Sequence, residues 1–167
     1  MTTGYIVMGV CGAGKSTIAK MLADRLGWQF FDADDFHPPA NISKLKHGIP
    51  LNDEDRRPWL EDLGKMLKFE IASGRHPVLA CSALKRRYRE MLRTVGDGIK
   101  IVYLYGSQEF IMERLQARKG HFMPPSLLET QLDALEDPSG EPDVISVDIS
   151  LAAEDAIEFI LEKSSTP

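Results

Sequence analysis

The sequence predicts an α/β fold in which a parallel β-sheet is flanked by helices. Short apolar runs that suit buried strands alternate with amphipathic stretches that suit helices. Each apolar run is bounded by glycine, proline or charged residues, and each is too apolar for a strand with one face in water. A length of 167 residues fits one domain with one core.

The strands and helices follow in alternating order along the chain. The strand candidates are residues 5–8, 29–32, 77–81, 100–105 and 143–147. Helices are expected over residues 15–26, 83–94, 107–118, 126–136 and 152–162. A further helix begins near Asn52, whose side chain can cap its first turn. Residues 37–50 and 119–125 interrupt the pattern with Pro, Gly and His, so we expect functional loops or lids there.

Composition limits the classes of partner. The formal net charge of −5 repels nucleic acid and acidic membranes, so a bound anion must meet a local basic cluster. We find neither a secretory signal nor an apolar run long enough to cross a bilayer. We therefore expect a cytoplasmic protein that binds neither nucleic acid nor membrane.

The two cysteines, Cys11 and Cys81, have no metal-like spacing. The simplest expectation is two reduced thiols. A redox-sensitive pair is the alternative, because both residues fall at predicted strand ends near the same site.

A phosphate-binding loop (P-loop) is the strongest signal in the chain. The stretch from Gly9 to Ser16 reads G-V-C-G-A-G-K-S, follows a predicted strand and opens a predicted helix, as this motif requires. Glycines let backbone amides converge on phosphate oxygens, and the helix adds its positive end. Lys15 can reach the β- and γ-phosphates, and the Ser16 hydroxyl can ligate Mg²⁺. The predicted nucleotide site comprises Gly9, Gly12, Ala13, Gly14, Lys15, Ser16 and Thr17.

An acidic cluster ends the second predicted strand, where the chain reads F-D-A-D-D from Phe31. Side chains alternate along a strand, so Asp32 and Asp34 should point the same way at the carboxyl edge of the sheet. One carboxylate could orient the Mg²⁺ water shell, and the other could accept a hydrogen bond from an attacking hydroxyl. No acidic residue follows the third predicted strand, which shifts the metal role to Asp32.

Five longer strings now make the chain resemble the gluconate kinases (gluconokinases), small P-loop kinases related to shikimate and nucleoside monophosphate kinases. They are M-G-V-C-G-A-G-K-S-T from Met8, F-D-A-D-D-F-H-P from Phe31, G-I-P-L-N-D-E-D-R-R-P-W-L from Gly48, L-A-C-S-A-L-K-R-R-Y-R from Leu79 and R-K-G-H-F-M-P from Arg118. They are spread over nearly the whole chain in the expected order. The P-loop alone is shared by many enzymes, whereas the third and fourth strings are far more specific.

The resemblance implies a five-stranded parallel sheet, a mobile lid and a homodimer. It also implies ATP- and Mg²⁺-dependent phosphorylation of D-gluconate at its 6-hydroxyl. Gluconokinases commonly carry Ser or Thr where this chain has Cys11. That position contributes mainly its backbone, so we expect little effect on binding.

Within that framework we expect Asp34 to position, and to deprotonate, the acceptor hydroxyl. Lys15 and Arg118 would stabilise the transferring phosphoryl group as the lid over 119–125 closes. Arg114 is a weaker candidate on what should be the same helix face as Arg118.

The sugar acid needs a cation for its carboxylate and polar partners for its hydroxyls. The predicted contacts are Asp34, His37, Lys44, Asp53, Arg57, Lys85 and His121. Asp53 and Arg57 are spaced for an i, i+4 ion pair, and the family string favours Arg57 as a contact. Most of Arg86, Arg87 and Arg89 should face solvent. Trp28, Trp59, Phe30 and Phe69 should lie in the core.

Two other functions stay open at this point. One is a kinase of another small hydroxy acid, such as shikimate, although C-S-A-L-K from Cys81 replaces the Gly-rich turn of that relative. The other is a non-enzymatic nucleotide switch, which would have no use for an acceptor site beside the P-loop.

Overall fold

A computed structural model describes residues 1–118 and 125–166. Its centre is an all-parallel five-stranded sheet in the order β2-β3-β1-β4-β5, which confirms the predicted fold class. The strands are β1 (Gly4–Met8), β2 (Gln29–Asp32), β3 (Pro77–Ala80), β4 (Ile99–Tyr105) and β5 (Val144–Asp148). The α-helices are α1 (Lys15–Leu26), α2 (Pro39–Lys46), α3 (Asp53–Ala72), α4 (Arg86–Arg93), α5 (Gln108–Ala117), α6 (Pro125–Ala134) and α7 (Ala153–Ser165), and a 3₁₀ helix, Ala33–Phe36, follows β2.

Helices cover both faces of the sheet, and this explains why the strands are continuously apolar. On one face, buried residues of α1, α5, α6 and α7 pack against β1 and β4 through side chains such as Val7 and Val102. On the other face, α3 and α4 pack against the same strands through side chains such as Ile6 and Ile101. The alternation of adjacent residues between two cores fixes the strand register.

Local sequence explains the ends of the longer helices. Gly27 ends α1 in the left-handed conformation (φ 67°), as its position after the apolar pattern predicts. Asn52 caps α3 by accepting a hydrogen bond from the Asp55 amide, and the Asp55 carboxylate accepts one from the Asn52 amide. This capping box orients the first turn of α3 beside the site.

Two segments differ from the sequence prediction. The chain from 39 to 46, expected to be a loop, forms α2, because Pro39 occupies the first turn, where its missing N–H is not needed. Conversely, α4 begins at Arg86 rather than at 83, because Ala83 has a left-handed backbone (φ 46°) that a helix cannot include. The residues from 82 to 85 therefore belong to the loop between β3 and α4.

The aromatic residues are not all internal. Trp59 is 5% exposed and belongs to the core, whereas Phe69 is 63% exposed, so its predicted core position is wrong. Phe69 lies two residues past Leu67, about 200° around the helix from that buried position. Across the described ranges, no helix is both long and apolar enough to span a membrane.

Candidate active site

The phosphate loop joins β1 to α1, as predicted. Gly12 (φ 81°) and Gly14 (φ 92°) have left-handed backbones that disfavour side chains. A Cβ atom at Gly12 would also come within 2.7 Å of Leu115 Cγ, so α5 packs directly on the turn. These constraints account for both glycines and direct the loop toward the amino end of α1, where helix amides can bind anions.

Lys15, the first residue of α1, curls back over the loop. Its Nζ donates to the Val10 carbonyl oxygen at 3.0 Å. Burial lowers the pKa of the ammonium group from its ordinary value, and the nearby positive charge of Arg118 adds to that effect. An anion beside this partly desolvated cation would restore the favourable charge balance.

Ser16 and Asp32 form the second part of the site. The Ser16 hydroxyl donates to Asp32 Oδ2 at 3.4 Å. A hydroxyl and one carboxylate suit Mg²⁺, which keeps several waters and uses substrate phosphates as further ligands. Among the described residues no cluster of three or more His, Cys, Asp or Glu could hold a metal by itself. The donor set thus fits a metal that arrives with a nucleotide.

Asp34 reaches the site by a different route from the predicted one. It belongs to the 3₁₀ helix after β2, not to the strand, so strand alternation does not set its direction. Asp32 Oδ1 accepts a hydrogen bond from the Asp34 amide at 2.9 Å and caps that helix. The prediction that both carboxylates lie at one place is nevertheless confirmed, because both line the same cavity.

That cavity has a volume of about 290 Å³ and is open at the carboxyl edge of the sheet. Its polar lining includes Lys15, Ser16, Asp32, Asp34, Arg118 and Gln131. Partial desolvation by the cavity walls, and then the negative charge of Asp32, raise the pKa of the Asp34 carboxyl. The Asp34 side chain is still 86% exposed, so we regard that desolvation as incomplete and the carboxylate as accessible to a substrate.

His37 lies behind Asp34 in a fixed orientation. Its ring stacks on Trp59 with centroids 4.3 Å apart, and its Nε2 is 4.0 Å from Asp34 Oδ1. Asn41 Nδ2 donates to the Asp55 carbonyl oxygen at 2.9 Å and lies 3.2 Å from His37 Nδ1. Because an amide nitrogen only donates, Nδ1 must accept, and the neutral ring carries its proton on Nε2, facing Asp34.

The predicted pair between Asp53 and Arg57 is wrong. Asp53 instead accepts hydrogen bonds from Lys85 Nζ at 3.0 Å, from Arg87 Nη1 at 2.8 Å and from the Tyr88 hydroxyl. Lys85 immediately precedes α4, and Arg87 and Tyr88 lie in its first turn, so the start of α4 supplies these donors to the first turn of α3. Arg57 is exposed on α3.

Lys44 and Asp55 form another cross-link near the site. Lys44 Nζ donates to both carboxylate oxygens of Asp55, at 2.9 and 2.8 Å. The contact links α2 to the start of α3, and it pairs the Lys44 ammonium with the Asp55 carboxylate. The structure therefore places Lys44 and Lys85 in ion pairs, the latter with Asp53.

The two arginines near the predicted lid do not share a helix face. Arg114 lies on α5 and its Nη1 donates to the Ala13 carbonyl oxygen at 3.4 Å. Arg118 follows the end of α5 in an extended conformation (ψ 114°) and lines the cavity. Helical spacing therefore no longer applies to the pair. The predicted lid over 119–125 and its His121 lie outside the described residues, except for the helical start of α6.

Gln131, which the sequence prediction did not include, reaches into the site from α6. Its Oε1 accepts a hydrogen bond from the Cys11 amide at 2.6 Å. Gln is common on helix surfaces, and 120 residues separate it from Cys11 in sequence, so no local pattern indicates the contact.

The prediction that most of Arg86, Arg87 and Arg89 face solvent is confirmed by the exposed Arg86 and Arg87, whereas Arg89 is the exception and is fully buried. Its guanidinium donates to the carbonyl oxygens of Ala83, Leu84 and Glu136 and to the carboxylate of Glu141. Arg89 therefore links the β3–α4 loop to the segment that follows α6.

Both cysteines are buried free thiols near the cavity. Burial raises the pKa of the Cys81 thiol to about 12 and raises that of Cys11 in the same direction. Neither environment favours the reactive thiolate. The geometry is that of two reduced thiols.

The chain is similar to known kinases in both sequence and structure. Residues 11–137 match the family model for shikimate kinase. A gluconokinase from Gluconobacter oxydans (strain 621H) is 49% identical over 142 residues, which cover 85% of this chain and 80% of that protein. A probable gluconokinase from Xenopus tropicalis is 45% identical over 159 residues, covering 86% and 84%. The crystal structure of a gluconokinase from Sinorhizobium meliloti 1021 has a TM-score of 0.89 at 42% identity and covers 99% of this chain and 94% of that one.

Proposed function

The chain belongs to the gluconokinase family, and from that premise we propose that it phosphorylates D-gluconate at the 6-hydroxyl with ATP. The products are 6-phospho-D-gluconate and ADP. The observation that carries the proposal is that Asp34 and the phosphate loop line the same cavity. A nucleotide switch would need the loop but not an accessible carboxylate beside it.

On the nucleotide side, the backbone amides from Gly12 to Ser16 would bind the triphosphate, with Gly9, Ala13 and Thr17 completing the loop. Lys15 lies over the loop and would donate hydrogen bonds to the β- and γ-phosphates. The charge of Arg118, on the same cavity wall, would offset charge on the equatorial oxygens of the phosphoryl group.

On the acceptor side, Asp34 would accept the hydrogen bond of the 6-hydroxyl and take up its proton. The bond from the hydroxyl oxygen to the γ-phosphorus forms as the bond from that phosphorus to the ADP oxygen breaks. His37 holds its Nε2–H toward Asp34 and so would keep the carboxylate oriented for this step.

Magnesium is the cofactor that the donor set fits. Ser16 and Asp32 would hold it, and it would supply charge neutralisation between the β- and γ-phosphates. Asp32 has a second task, because its other oxygen caps the 3₁₀ helix that carries Asp34. The two carboxylates are thus positioned by one another rather than independently.

For the gluconate carboxylate and hydroxyls, the cross-linked cluster at the start of α3 would supply further polar groups. Lys85 and Asp53 pair there, Lys44 pairs with Asp55, and Arg57 is exposed beside them. We propose Lys85 and Arg57 as the cations that meet the substrate carboxylate. Asp53, Lys44 and His121 complete the proposed substrate contacts.

The remaining proposals concern organisation. We propose one kinase domain over residues 1–167, with a substrate-covering segment at about 37–58 and a lid at about 119–125. We also propose a homodimer that works in the cytoplasm. Analytical ultracentrifugation of the purified chain tests the dimer directly.

The test of the function is ADP release measured with a panel of acceptors. We expect ATP consumption to depend on D-gluconate and not on shikimate or on other sugar acids. Mass spectrometry and ³¹P NMR should identify a phosphate monoester on the primary hydroxyl. Tight ATP binding without turnover on any acceptor would contradict the proposal and favour a nucleotide switch.

A further inference from the structure

We infer that Gln131 is a further substrate-binding residue, whose carboxamide N–H groups donate to hydroxyl oxygens of the sugar acid. The inference rests on the proposed function only in taking gluconate as the acceptor. The starting observation is that Gln131 lines the cavity of the phosphate loop and Asp34 although it comes from the distant helix α6.

The Cys11 hydrogen bond fixes the direction of the carboxamide. Oε1 is the atom that accepts from the Cys11 amide, at 2.6 Å. The two N–H donors on Nε2 must then point away from that amide. Within the described part of the chain, no buried side-chain nitrogen or oxygen lacks a hydrogen-bond partner, and Nε2 has no protein acceptor there. The donors are therefore open to the cavity.

The helix that carries Gln131 is held at its carboxyl end. The Leu135 amide donates to the Gln131 carbonyl oxygen at 2.9 Å, and the Glu136 amide donates to the Leu84 carbonyl oxygen at 2.8 Å. Arg89 adds a hydrogen bond to the Glu136 carbonyl oxygen at 2.9 Å. Leu128, one turn before Gln131, is fully buried in the core. The donors are thus preorganised by packing on both sides.

The chemistry of the position favours the acceptor over the phosphates. Lys15 and Arg118 already supply positive charge to the cavity, and a neutral amide adds little for an anion. Sugar hydroxyls are neutral groups that both donate and accept, so a neutral double donor beside the Asp34 acceptor matches them. A site built to hydrogen-bond a substrate hydroxyl gains specificity because an analogue that lacks the hydroxyl leaves the donor unpaired.

The experiment compares Gln131→Met, which keeps the shape and loses all hydrogen bonding, with Gln131→Glu, which keeps the acceptor for Cys11 and loses the donors. The control is Asp133→Asn, an exposed position on the same helix. For each variant we would measure KM for gluconate, KM for ATP, kcat and the thermal midpoint. Wild-type turnover on gluconate is established first, so that failure of the proposed function is seen separately.

We expect Gln131→Met to raise KM for gluconate about 5- to 10-fold, the usual effect of one or two neutral hydrogen bonds, with KM for ATP changed less than twofold. Gln131→Glu should impair gluconate binding at least as much, although it can still bind Cys11. The control should match the wild type.

If Gln131 only supports the loop, Gln131→Glu would retain wild-type KM for gluconate while Gln131→Met would change both KM values and the thermal midpoint. That result would overturn the inference. An increase confined to KM for ATP would overturn it as well, because it would assign the donors to the nucleotide.

Discussion

Replacing the buried Arg89 with Met should destabilise the protein strongly. The Arg89 side chain is fully buried, and its guanidinium donates to three backbone carbonyl oxygens, at 2.9, 3.0 and 2.9 Å. It also pairs with Glu141 at 2.7 Å. Methionine preserves most of the buried stem but none of the donors.

The magnitude follows from what the substitution leaves behind. The buried carbonyl oxygens of Ala83 and Leu84 and the partly buried one of Glu136 lose a charged donor, at about 1 to 2 kcal/mol each. Glu141 keeps Arg93 as a partner, so its charge is not stranded. The sum, about 3 to 6 kcal/mol, overlaps the usual cost of about 3 to 5 kcal/mol for breaking a buried ion pair from one side. For a chain of this size it corresponds to a thermal midpoint lower by roughly 6 to 24 °C.

The assay is urea unfolding of the variant and the wild type, followed by circular dichroism. Arg86→Met is the matched control, because Arg86 lies on the same helix and makes only an exposed i, i+4 pair with Glu90. Such a pair contributes about 0.3 to 0.5 kcal/mol. A loss below about 1 kcal/mol for Arg89→Met would refute the reasoning, because the cross-link would then contribute no more than a surface contact.

Three further predictions follow from the charges of the site and the core. Burial raises the pKa of Glu141, but hydrogen bonds from Arg89 and Arg93 outweigh it and hold the pKa below its ordinary value. This carboxylate therefore stabilises the fold above about pH 4.3 and loses that contribution at lower pH. Glu141→Gln should accordingly make the free energy of unfolding less dependent on pH, as urea unfolding between pH 3 and 6 would show. The Cys81 thiol has a pKa of about 12, so it should resist iodoacetamide at pH 8 in the native protein and react in urea. Mass spectrometry would show the difference, and rapid alkylation of the native protein would contradict the burial of Cys81. In the ADP-release assay, Lys15→Met should lower kcat by about 100-fold or more, the usual loss for one donor that stabilises a transition state. A loss under tenfold would contradict a role for Lys15 in phosphoryl transfer.

The sequence predicts most of the framework because strand, loop and helix signals are local. The phosphate loop depends on glycines at fixed offsets, and α1 begins and ends where Lys15 and Gly27 indicate. The cap of α3 by Asn52 is local as well. Each of these features is decided within a few residues, so one sequence is enough to place them.

The parts that sequence did not predict depend on contacts across the fold. Asp53 accepts hydrogen bonds from Lys85, Arg87 and Tyr88, which come within reach only after α4 packs against α3. Helical spacing alone therefore indicated the wrong partner, Arg57. Arg89 looks like its exposed neighbours until the segment after α6 closes over it. Gln131 contacts Cys11 only because the fold brings α6 against the phosphate loop.

Asp34 combines both situations. Its sequence position two residues after Asp32 correctly indicates a shared site, yet the mechanism is a capped 3₁₀ turn rather than strand alternation. The cap depends on an Asp at the end of β2 that accepts from the second following amide, a common local motif. The Asp-x-Asp pattern at the end of a strand fits both a capped 3₁₀ turn and two alternating strand residues. The sequence alone therefore did not distinguish these two conformations.

In the proposed reaction, Asp34 presents the gluconate hydroxyl to a nucleotide held on the phosphate loop. This role is tested by gluconate-dependent ADP release by Asp34→Asn, with ATP affinity measured in parallel by calorimetry. Loss of a general base predicts a kcat lower by about 100- to 10,000-fold, while the Kd for ATP stays within twofold. Unchanged turnover, or a loss explained wholly by weaker ATP binding, would contradict this role.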